Sequence, residues 1–374
     1  MPANTQKRLT FSNNERLLLD IVRTRQPIAR SAVTDLTDLT QQSVHRLLEG
    51  LIEDGFVLSE KAPPSGRGKP SPNLLLDKNA VHAVGISINT DSMTISLVDF
   101  NCDTILERRL RGPLSDRKAG IATLRSTLDE MVAQAGIKPE TICGLGYAMA
   151  GFFVDGDRAM NAPEPLRDWS LVPLEPELKE AFELPVFIEN NATAGAIGES
   201  LAGAGRWCGT FAYLSFNYGF GGGIIIDGKP YLGRHGNAGE FSGIYTPDES
   251  PRRPALRSLL DTLAENGVPL DGVADLRERF DPGWPGVANW IEVVTPQLDR
   301  MINTLSAVLD PEAIVFGGEL PTALGEMLIA RTRFESEHRY GVGMPRPKLV
   351  IGEAPGDPAA TGAALLPLKY TYFQ

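Results

Sequence analysis

The chain has 374 residues, a formal net charge of −11 at pH 7 and 42% hydrophobic residues, which excludes a disordered chain and indicates two or three folded domains. No run of about 18 apolar residues is present, which argues against a membrane span, and the polar residues 1–14 lack the apolar segment of a secretory signal. Three widely spaced cysteines (Cys102, Cys143 and Cys208) exclude a disulfide scaffold, form no metal-binding pattern and fit a reducing cytoplasm, where we expect the protein to reside.

The charge is unevenly distributed along the chain. Residues 1–78 contain 11 Lys and Arg against 9 Asp and Glu, a net charge of +2, whereas residues 79–374 contain 25 against 38, a net charge of −13. Only the N-terminal part can therefore approach the phosphates of a nucleic acid, because the remainder would be repelled by them.

Three short helices are predicted near the N-terminus. The first begins at Ser12, which forms a capping-box pattern with Glu15, and it ends before Pro27. The second and third fit residues 30–36 and 40–54, with only a short turn between them. Two short amphipathic helices joined by a tight turn are typical of a helix-turn-helix.

A basic segment rich in proline and glycine follows the third helix. This segment, residues 61–72, separates two apolar stretches, 56–58 and 74–76, that are predicted to be strands. A strand, a basic tip and a second strand form the wing of a winged helix-turn-helix. We therefore predict that residues 1–78 are a DNA-binding domain.

The third helix is the element expected to read bases in the major groove. Its N-terminal side chains include Gln, which pairs with adenine, and Arg, which pairs with guanine, and the wing can place a guanidinium in a minor groove or on phosphates. A solvated helix face and a basic linker are the alternatives for the two segments taken singly. The residues predicted to contact DNA are Thr40, Gln41, Gln42, Ser43, His45, Arg46, Arg67 and Lys69.

Beyond the wing, the pattern is that of an α/β protein. Strands are predicted at residues 81–88, 93–100 and 104–110, followed by a helix at 119–135 and another strand. A strand, a glycine turn at residues 217–222 and a second strand recur farther along the chain. This recurrence suggests an internal duplication with a cleft between the two halves.

Polar side chains collect at two places in this region. Glu189, Asn190 and Asn191 follow an apolar strand, and Glu240 ends a glycine-rich turn. Strand ends are where α/β sheets bind ligands. Amides and carboxylates suit a neutral sugar or polyol, whereas an anionic ligand would require Arg or Lys. The alternative is a set of tight turns with polar surface residues, and the glycine run 217–223 alone is better explained as a hairpin without a ligand.

Four segments resemble motifs of the ROK family (repressors, open reading frames and sugar kinases): residues 186–199, 221–226, 233–240 and 314–318. With the Gly-Arg-Gly-Lys-Pro wing, the resemblance covers essentially the whole chain. It implies an α/β fold class in which an N-terminal winged helix-turn-helix precedes a duplicated actin-like (ribonuclease H-like) domain of the ATPase and sugar-kinase type. That domain, residues 79–374, would have two lobes around a central cleft.

The resemblance also shows which kinase residues are replaced. Where the family's kinases hold ATP phosphates with an Asp-x-Gly-Gly-Thr-Lys turn, this chain has residues 87–92, including Asp91. The family's catalytic aspartate corresponds to Asn191, an amide that cannot act as a base near neutral pH. Loss of a general base alone lowers a rate by roughly 10²–10⁴, and phosphoryl transfer depends on positioned phosphates. We therefore expect no catalytic residues and no kinase activity.

The family's zinc and sugar contacts are altered as well. Gly243 replaces the histidine of the Glu-x-Gly-His motif, and residues 244–262 contain neither Cys nor His, so we expect neither a metal nor a cofactor. The family's Pro-Asn sugar contact corresponds to Pro163 and Glu164. The predicted ligand-binding residues are Gly151, Glu164, Asn190, Asn191 and Glu240.

These features together predict a sugar-responsive DNA-binding transcriptional regulator, a repressor with a catalytically inactive kinase-like effector domain. Its expected partners are an operator DNA and a small neutral sugar or polyol. A homodimer or dimer of dimers is expected, because one short helix reads too few bases. Two alternatives stay open: an active sugar kinase with a DNA-binding extension, and a constitutive DNA-binding protein whose large domain only oligomerises.

Overall fold

The computed structural model describes residues 10–61, 71–111, 115–154, 159–335, 340–354 and 356–374. Within these ranges the chain forms eleven α-helices and fifteen strands. None of the helices in the described ranges is long and apolar enough to cross a bilayer.

The N-terminal unit is a three-helix arrangement with a small sheet. Its elements are α1 (Asn13–Arg25), β1 (Ile28–Ala29), α2 (Arg30–Asp35), α3 (Gln41–Glu53), β2 (Val57–Glu60) and β3 (Asn73–Leu76). The capping box at α1 is confirmed, because Ser12 accepts from the Glu15 amide while the Glu15 carboxylate accepts from the Ser12 amide at 2.8 Å. The antiparallel sheet has the order β1-β3-β2, and the sequence pattern does not indicate β1, since two residues are too few to show a period.

The core of this unit continues into the rest of the protein. The rings of Phe11 and Phe56 pack at a tilt against Tyr372 near the end of the chain, at ring-centroid distances of 5.0 and 5.9 Å. Arg16 of α1 donates to the backbone oxygens of Phe373 and Lys369, at 2.8 and 3.0 Å. The N-terminal unit is therefore anchored on the C-terminal residues.

The first lobe follows the wing. Its elements are β4 (His82–Ile88), β5 (Met93–Asp99), β6 (Thr104–Leu110), α4 (Arg117–Ala135), β7 (Ile142–Met149), β8 (Phe152–Phe153), β9 (Met160–Asn161), α5 (Leu174–Phe182), β10 (Val186–Asn190) and α6 (Asn191–Ala202). The main sheet has the order β10-β7-β4-β5-β6. Strands β4 to β6 form an antiparallel meander, and β7 and β10 are parallel to β4.

The second lobe repeats this topology. Its elements are β11 (Phe211–Phe216), β12 (Phe220–Ile226), β13 (Lys229–Pro230), α7 (Leu256–Glu265), α8 (Val273–Arg279), α9 (Val287–Leu309), β14 (Ala313–Gly318), α10 (Thr322–Arg331), β15 (Lys348–Ile351) and α11 (Pro358–Thr371). The sheet order β13-β12-β11-β14-β15, with an antiparallel meander and two parallel strands, matches the first lobe strand for strand. The predicted duplication is confirmed.

The glycine run is placed differently from the prediction. The turn comprises only residues 217–219, and β12 already begins at Phe220, so Gly221 and Gly222 belong to the strand and not to the turn, while Gly223 is a strand residue as predicted. A side chain at Gly222 would collide with Phe241, and one at Gly223 would collide with Ala196 of α6. Close packing across the strand, and not a positive φ, is thus the reason for glycine at these two positions.

Candidate ligand-binding cleft and DNA-reading helix

A cleft of about 360 Å³ lies between the two lobes. This volume falls in the range of small-molecule pockets. Its walls come from the turn after β4, the ends of β7 and β10, and the β11–β12 hairpin. The lining includes every residue predicted to bind ligand: Gly151, Glu164, Asn190, Asn191 and Glu240.

Asn190 joins elements from both lobes. It ends β10 and caps α6, with its side-chain oxygen accepting from the Ala192 amide at 2.7 Å. Its side-chain nitrogen donates to the backbone oxygen of Gly151 in the first lobe and to Glu240 Oε1 in the second, the latter at 3.3 Å. One amide therefore positions the backbone and carboxylate groups that face the cleft.

Asn191 and Thr90 supply unpartnered polar atoms. The Asn191 amide nitrogen donates to Ile88 O at 3.0 Å and to Asn89 Oδ1 at 2.8 Å, which fixes the amide orientation. Its Oδ1 is buried without a hydrogen-bond partner in the described part of the chain, as is Thr90 Oγ1. Leaving such an atom unsatisfied costs about 1–3 kcal/mol, so a ligand hydroxyl on either atom would be favoured.

Glu240 is the main acidic group at the cleft. Its side chain reaches the surface, but the surrounding protein removes enough water to raise the pKa of its carboxyl above the ordinary value. Glu164 lies at the start of a short 3₁₀ helix, after Pro163, and is exposed. Both carboxylates can accept hydrogen bonds from hydroxyl groups.

Two arginines in the cleft were not predicted from the sequence. Arg253 and Arg257 line it together with Asn217 and Tyr218 of the β11–β12 turn. They come from the start of α7 and the loop before it, where the sequence shows no period and no motif. No signal along the chain places them beside Asn190, because the loop path is a tertiary property.

Hydrogen bonds to the carboxylates of Asp91 and Asp357 also join the lobes beside the turn after β4. Asp91 of that turn accepts from the backbone amide of Val273, the first residue of α8, at 3.0 Å. Ser87 of β4 donates to Asp357 at 3.1 Å. Two residues of the segment that corresponds to the kinase phosphate turn, Ser87 and Asp91, thus already form hydrogen bonds with other parts of the protein.

An ion cluster between the lobes lies near this turn, outside the residues that line the cleft, and its carboxylates Glu319 and Asp357 are buried. Its members are Glu107, Arg109, Arg277, Glu319 and Asp357. Arg109 of β6 lies 2.6 Å from Glu319 and 3.5 Å from Asp357, and Arg277 of α8 lies 3.4 Å from Glu319. Burial raises the pKa of Glu319 above its usual value, the nearby Asp357 adds to this rise, and the two arginines oppose it.

In the ROK family, the segment that corresponds to residues 244–262 carries zinc ligands. In this chain, contacts with α9 hold that segment. Tyr245 donates its hydroxyl to Gln297 O of α9 at 2.9 Å, and Arg300 of α9 contacts both carboxylate oxygens of Glu249 at 2.6 and 2.7 Å. No group of three or more His, Cys, Asp or Glu side chains suited to a metal occurs among the described residues.

A larger open groove of about 790 Å³ lies on α9 and the end of α10. It contains none of the predicted ligand residues, and Arg300 in its lining pairs with Glu249. We therefore take the smaller interlobe cleft as the candidate site.

Helix α3, which is predicted to read DNA, presents the predicted side chains. Gln41, Gln42, His45 and Arg46 are exposed, and the opposite face is buried in the core. The Thr40 hydroxyl accepts from the amide of Ser43 at 3.2 Å and also bonds the Ser43 hydroxyl at 2.9 Å, so these two hydroxyls are engaged in capping the helix. The wing residues Arg67 and Lys69 lie outside the described residues.

Comparison with known proteins identifies the family to which one part of the chain belongs. Residues 83–252 match the model of the ROK family. The chain carries a ROK domain. Its sequence is 28% identical over 86% of both chains to a protein named putative xylose repressor from Caldicellulosiruptor sp..

Two solved structures share the fold. A ROK family transcriptional regulator, described as a homologue of the Escherichia coli MLC protein, covers 95% of both chains with a TM-score of 0.69 and 19% identity. A ROK glucokinase from Streptomyces griseus, in complex with glucose and AMPPNP, covers 76% of this chain and 98% of its own, with a TM-score of 0.59 and 21% identity. The ROK domain thus shares the actin-like fold of the glucokinase, and 95% of the chain shares the fold of the first of these two structures.

Proposed function

We propose that the protein is a sugar-responsive transcriptional repressor that binds an operator through residues 1–78 and senses a small sugar in the cleft of residues 79–374. The observation that carries the sensing function is the meeting of Gly151, Asn190 and Glu240 at one hydrogen-bonded point between the lobes. The relative named putative xylose repressor supports the same class of function.

The residues that replace the kinase machinery support binding without phosphoryl transfer. Asn191 cannot accept a proton from a sugar hydroxyl, and its nitrogen already donates two hydrogen bonds. Asp91 places a carboxylate on the phosphate turn and engages it with α8. Because ATP carries several negative charges, this carboxylate disfavours its phosphates at that place.

Helix α6 connects the cleft to the DNA-binding unit. Its N-cap is Asn190 in the cleft, and near its other end Leu201 O accepts a hydrogen bond from Arg23 of α1 at 2.7 Å. A helix of this length spans about 18 Å. A ligand that favours one lobe closure would shift α6, and the shift in DNA affinity is limited by the ligand's differential affinity for the two states.

A homodimer, or a dimer of dimers, is the assembly we propose for operator binding. Each α3 reads only a few base pairs, and two copies on a pseudo-palindromic operator would provide the remaining specificity. A ligand-driven change in the α1–α6 contact would then change the spacing of the two heads.

Gel retardation with DNA fragments from the neighbourhood of the gene tests the proposal. We expect binding that Arg46→Ala weakens by about tenfold or more, while Arg252→Ala, which removes an exposed arginine of the ROK domain, leaves it unchanged. Sugars added to the same assay should alter retardation. Failure to retard any fragment would refute the regulator.

An assay of ATP consumption over the same sugars separates the first alternative, an active kinase, because turnover at ordinary kinase rates would establish an enzyme. Retardation that no sugar alters, with no sugar-dependent thermal shift, would instead support the constitutive DNA-binding protein.

A further inference from the structure

The candidate cleft holds two guanidinium groups that a neutral sugar would leave without a ligand partner. Arg253 and Arg257 line the same cavity as Asn190 and Glu240. Both belong to the second lobe, beside the β11–β12 turn, where Leu256 donates its backbone amide to Asn217 O at 2.9 Å. This contact docks the start of α7 on the turn and brings the arginines to the cavity.

Arg253 is oriented in advance. Its Nη1 donates to the backbone oxygen and to the hydroxyl of Ser250, both at 2.7 Å. Within the described residues, no partner occupies Nε or Nη2, which share one edge of the planar group. Such an edge offers two parallel N–H donors, the arrangement that binds a carboxylate or a phosphate in bidentate fashion.

Arg257 adds a second positive charge that carboxylates of the protein neutralise only weakly. Its guanidinium lies 5.4 Å from the centre of the Tyr218 ring. Its nearest carboxylate, Asp261, is 3.7 Å away, and both side chains are more than 60% exposed, so this pair contributes little.

The carboxylates of the cleft do not neutralise these arginines. In the described part of the chain, Glu164 and Glu240 form no ion pair with either arginine, and Glu240 instead contacts Asn190. The cleft therefore contains acceptor groups for hydroxyls together with two guanidinium groups that its own carboxylates do not neutralise.

We propose that the effector is a sugar derivative with one anionic group, a carboxylate or a phosphate ester, which Arg253 and Arg257 bind while its hydroxyls contact Asn190, Asn191 and Glu240. This inference rests on the proposed sugar-sensing function and replaces the neutral ligand expected from the sequence. The shared chemistry is a polyhydroxylated body with a single anion.

Matched ligand sets test it on the full-length protein. Glucose, mannose and galactose are each compared with the corresponding uronate and 6-phosphate by calorimetry and thermal shift, and in the retardation assay. We expect at least one anion to bind about tenfold or more tightly than its neutral parent. The uronate and phosphate arms distinguish which anion is recognised.

The variants Arg253→Gln and Arg257→Gln should remove this preference for the anionic member of each set. Arg252→Gln, the exposed neighbour in the chain, is the matched control and should retain the preference. If Arg253→Gln is poorly folded, Arg257→Gln and the salt dependence of wild-type binding carry the test, because an ionic contact weakens as salt rises.

Equal affinity for neutral and anionic members, or a preference that survives both substitutions, would overturn the inference while the sensing function stands. Binding of none of the nine compounds would overturn it too. In that case retardation shows whether the proposed regulator fails as well, since DNA binding does not depend on the two arginines.

Discussion

Two places between the lobes differ in how the protein uses its polar groups. In the cleft near Asn190, the lining residues Asn191 and Thr90 each have a buried oxygen, Oδ1 and Oγ1, without a partner in the described structure. In the ion cluster, Arg109 and Glu319 pair with each other across the lobes. Unsatisfied groups indicate a place for a ligand, whereas satisfied ones indicate a structural contact.

This difference separates a place where a ligand can bind from a contact that joins the lobes. The charged groups of the ion cluster already pair within the protein, because Arg109 lies against Glu319 and Asp357, and Arg277 lies against Glu319. The following substitutions test that difference, beginning with the largest effect.

The largest effect is expected from Arg109→Ala. It would leave the buried carboxylate of Glu319 without its closest partner, and breaking a buried pair in this way costs about 3–5 kcal/mol. Chemical denaturation measures the loss of unfolding free energy. Arg108→Ala is the matched control, since Arg108 pairs with the exposed Glu130, and we expect less than about 1 kcal/mol. A similar result for both would show that the cluster is not structural.

Glu240→Gln should weaken effector binding by about 10- to 100-fold, because a charge-assisted hydrogen bond to a hydroxyl is lost. Calorimetry as a function of pH checks the cause. Since the pKa of Glu240 is raised by desolvation, wild-type affinity should fall as the pH drops through a value above the usual 4.5, while the variant shows no such fall.

The same raised pKa has a consequence for stability. The folded state holds the Glu240 proton more tightly than the unfolded state. Protonation of Glu240 therefore adds to the free energy of unfolding at acid pH, and this addition is lost as the pH rises through the pKa of the folded state. Glu240→Gln should therefore melt at the same or a higher temperature than wild type at pH 7. A clearly lower melting temperature for Glu240→Gln than for wild type would show that the carboxylate stabilises the fold, which contradicts a role in binding alone.

A smaller effect is expected from Arg23→Ala. It removes the hydrogen bond from α1 to Leu201 O of α6, and the substitution should reduce the effector's influence on operator affinity by about 1 kcal/mol. Retardation with and without effector measures this coupling. Arg25→Ala, on the same helix, should retain it, and equal coupling in both variants would exclude the α6 path.

The smallest effect is expected from Asn191→Asp. It restores the carboxylate found in the kinases of the family, yet Asp91 still places a negative charge on the turn after β4 and contacts α8. We expect no ATP consumption above background with any sugar. Measurable turnover would show that the amide alone abolishes activity.

The sequence predicted local features well. The capping box at Ser12, the end of α1 before Pro27 and the apolar face of α3 depend on neighbours within a few residues, and the structure confirms each. The polar residues at the end of β10 were identified because chain order alone brings them to a strand end.

Other features of the site were missed because they depend on distant parts of the chain. Arg253 and Arg257 reach the cleft only because α7 docks on the β11–β12 turn. Gly221 and Gly222 of β12 were assigned to a turn, although the packing of Phe241 against the strand is what requires glycine at position 222.

Short-range patterns along the chain thus determined the helices and strands, because capping and periodicity act between near neighbours. The order of the predicted elements indicated their duplication. The residue types at the strand end also indicated the amides and carboxylates that line part of the cleft. Tertiary structure alone decided which ions meet across the lobes and which polar atoms stay without a partner. Those outcomes depend on desolvation and on distances between groups such as Arg109 and Glu319, which lie 2.6 Å apart in space but in different lobes of the protein.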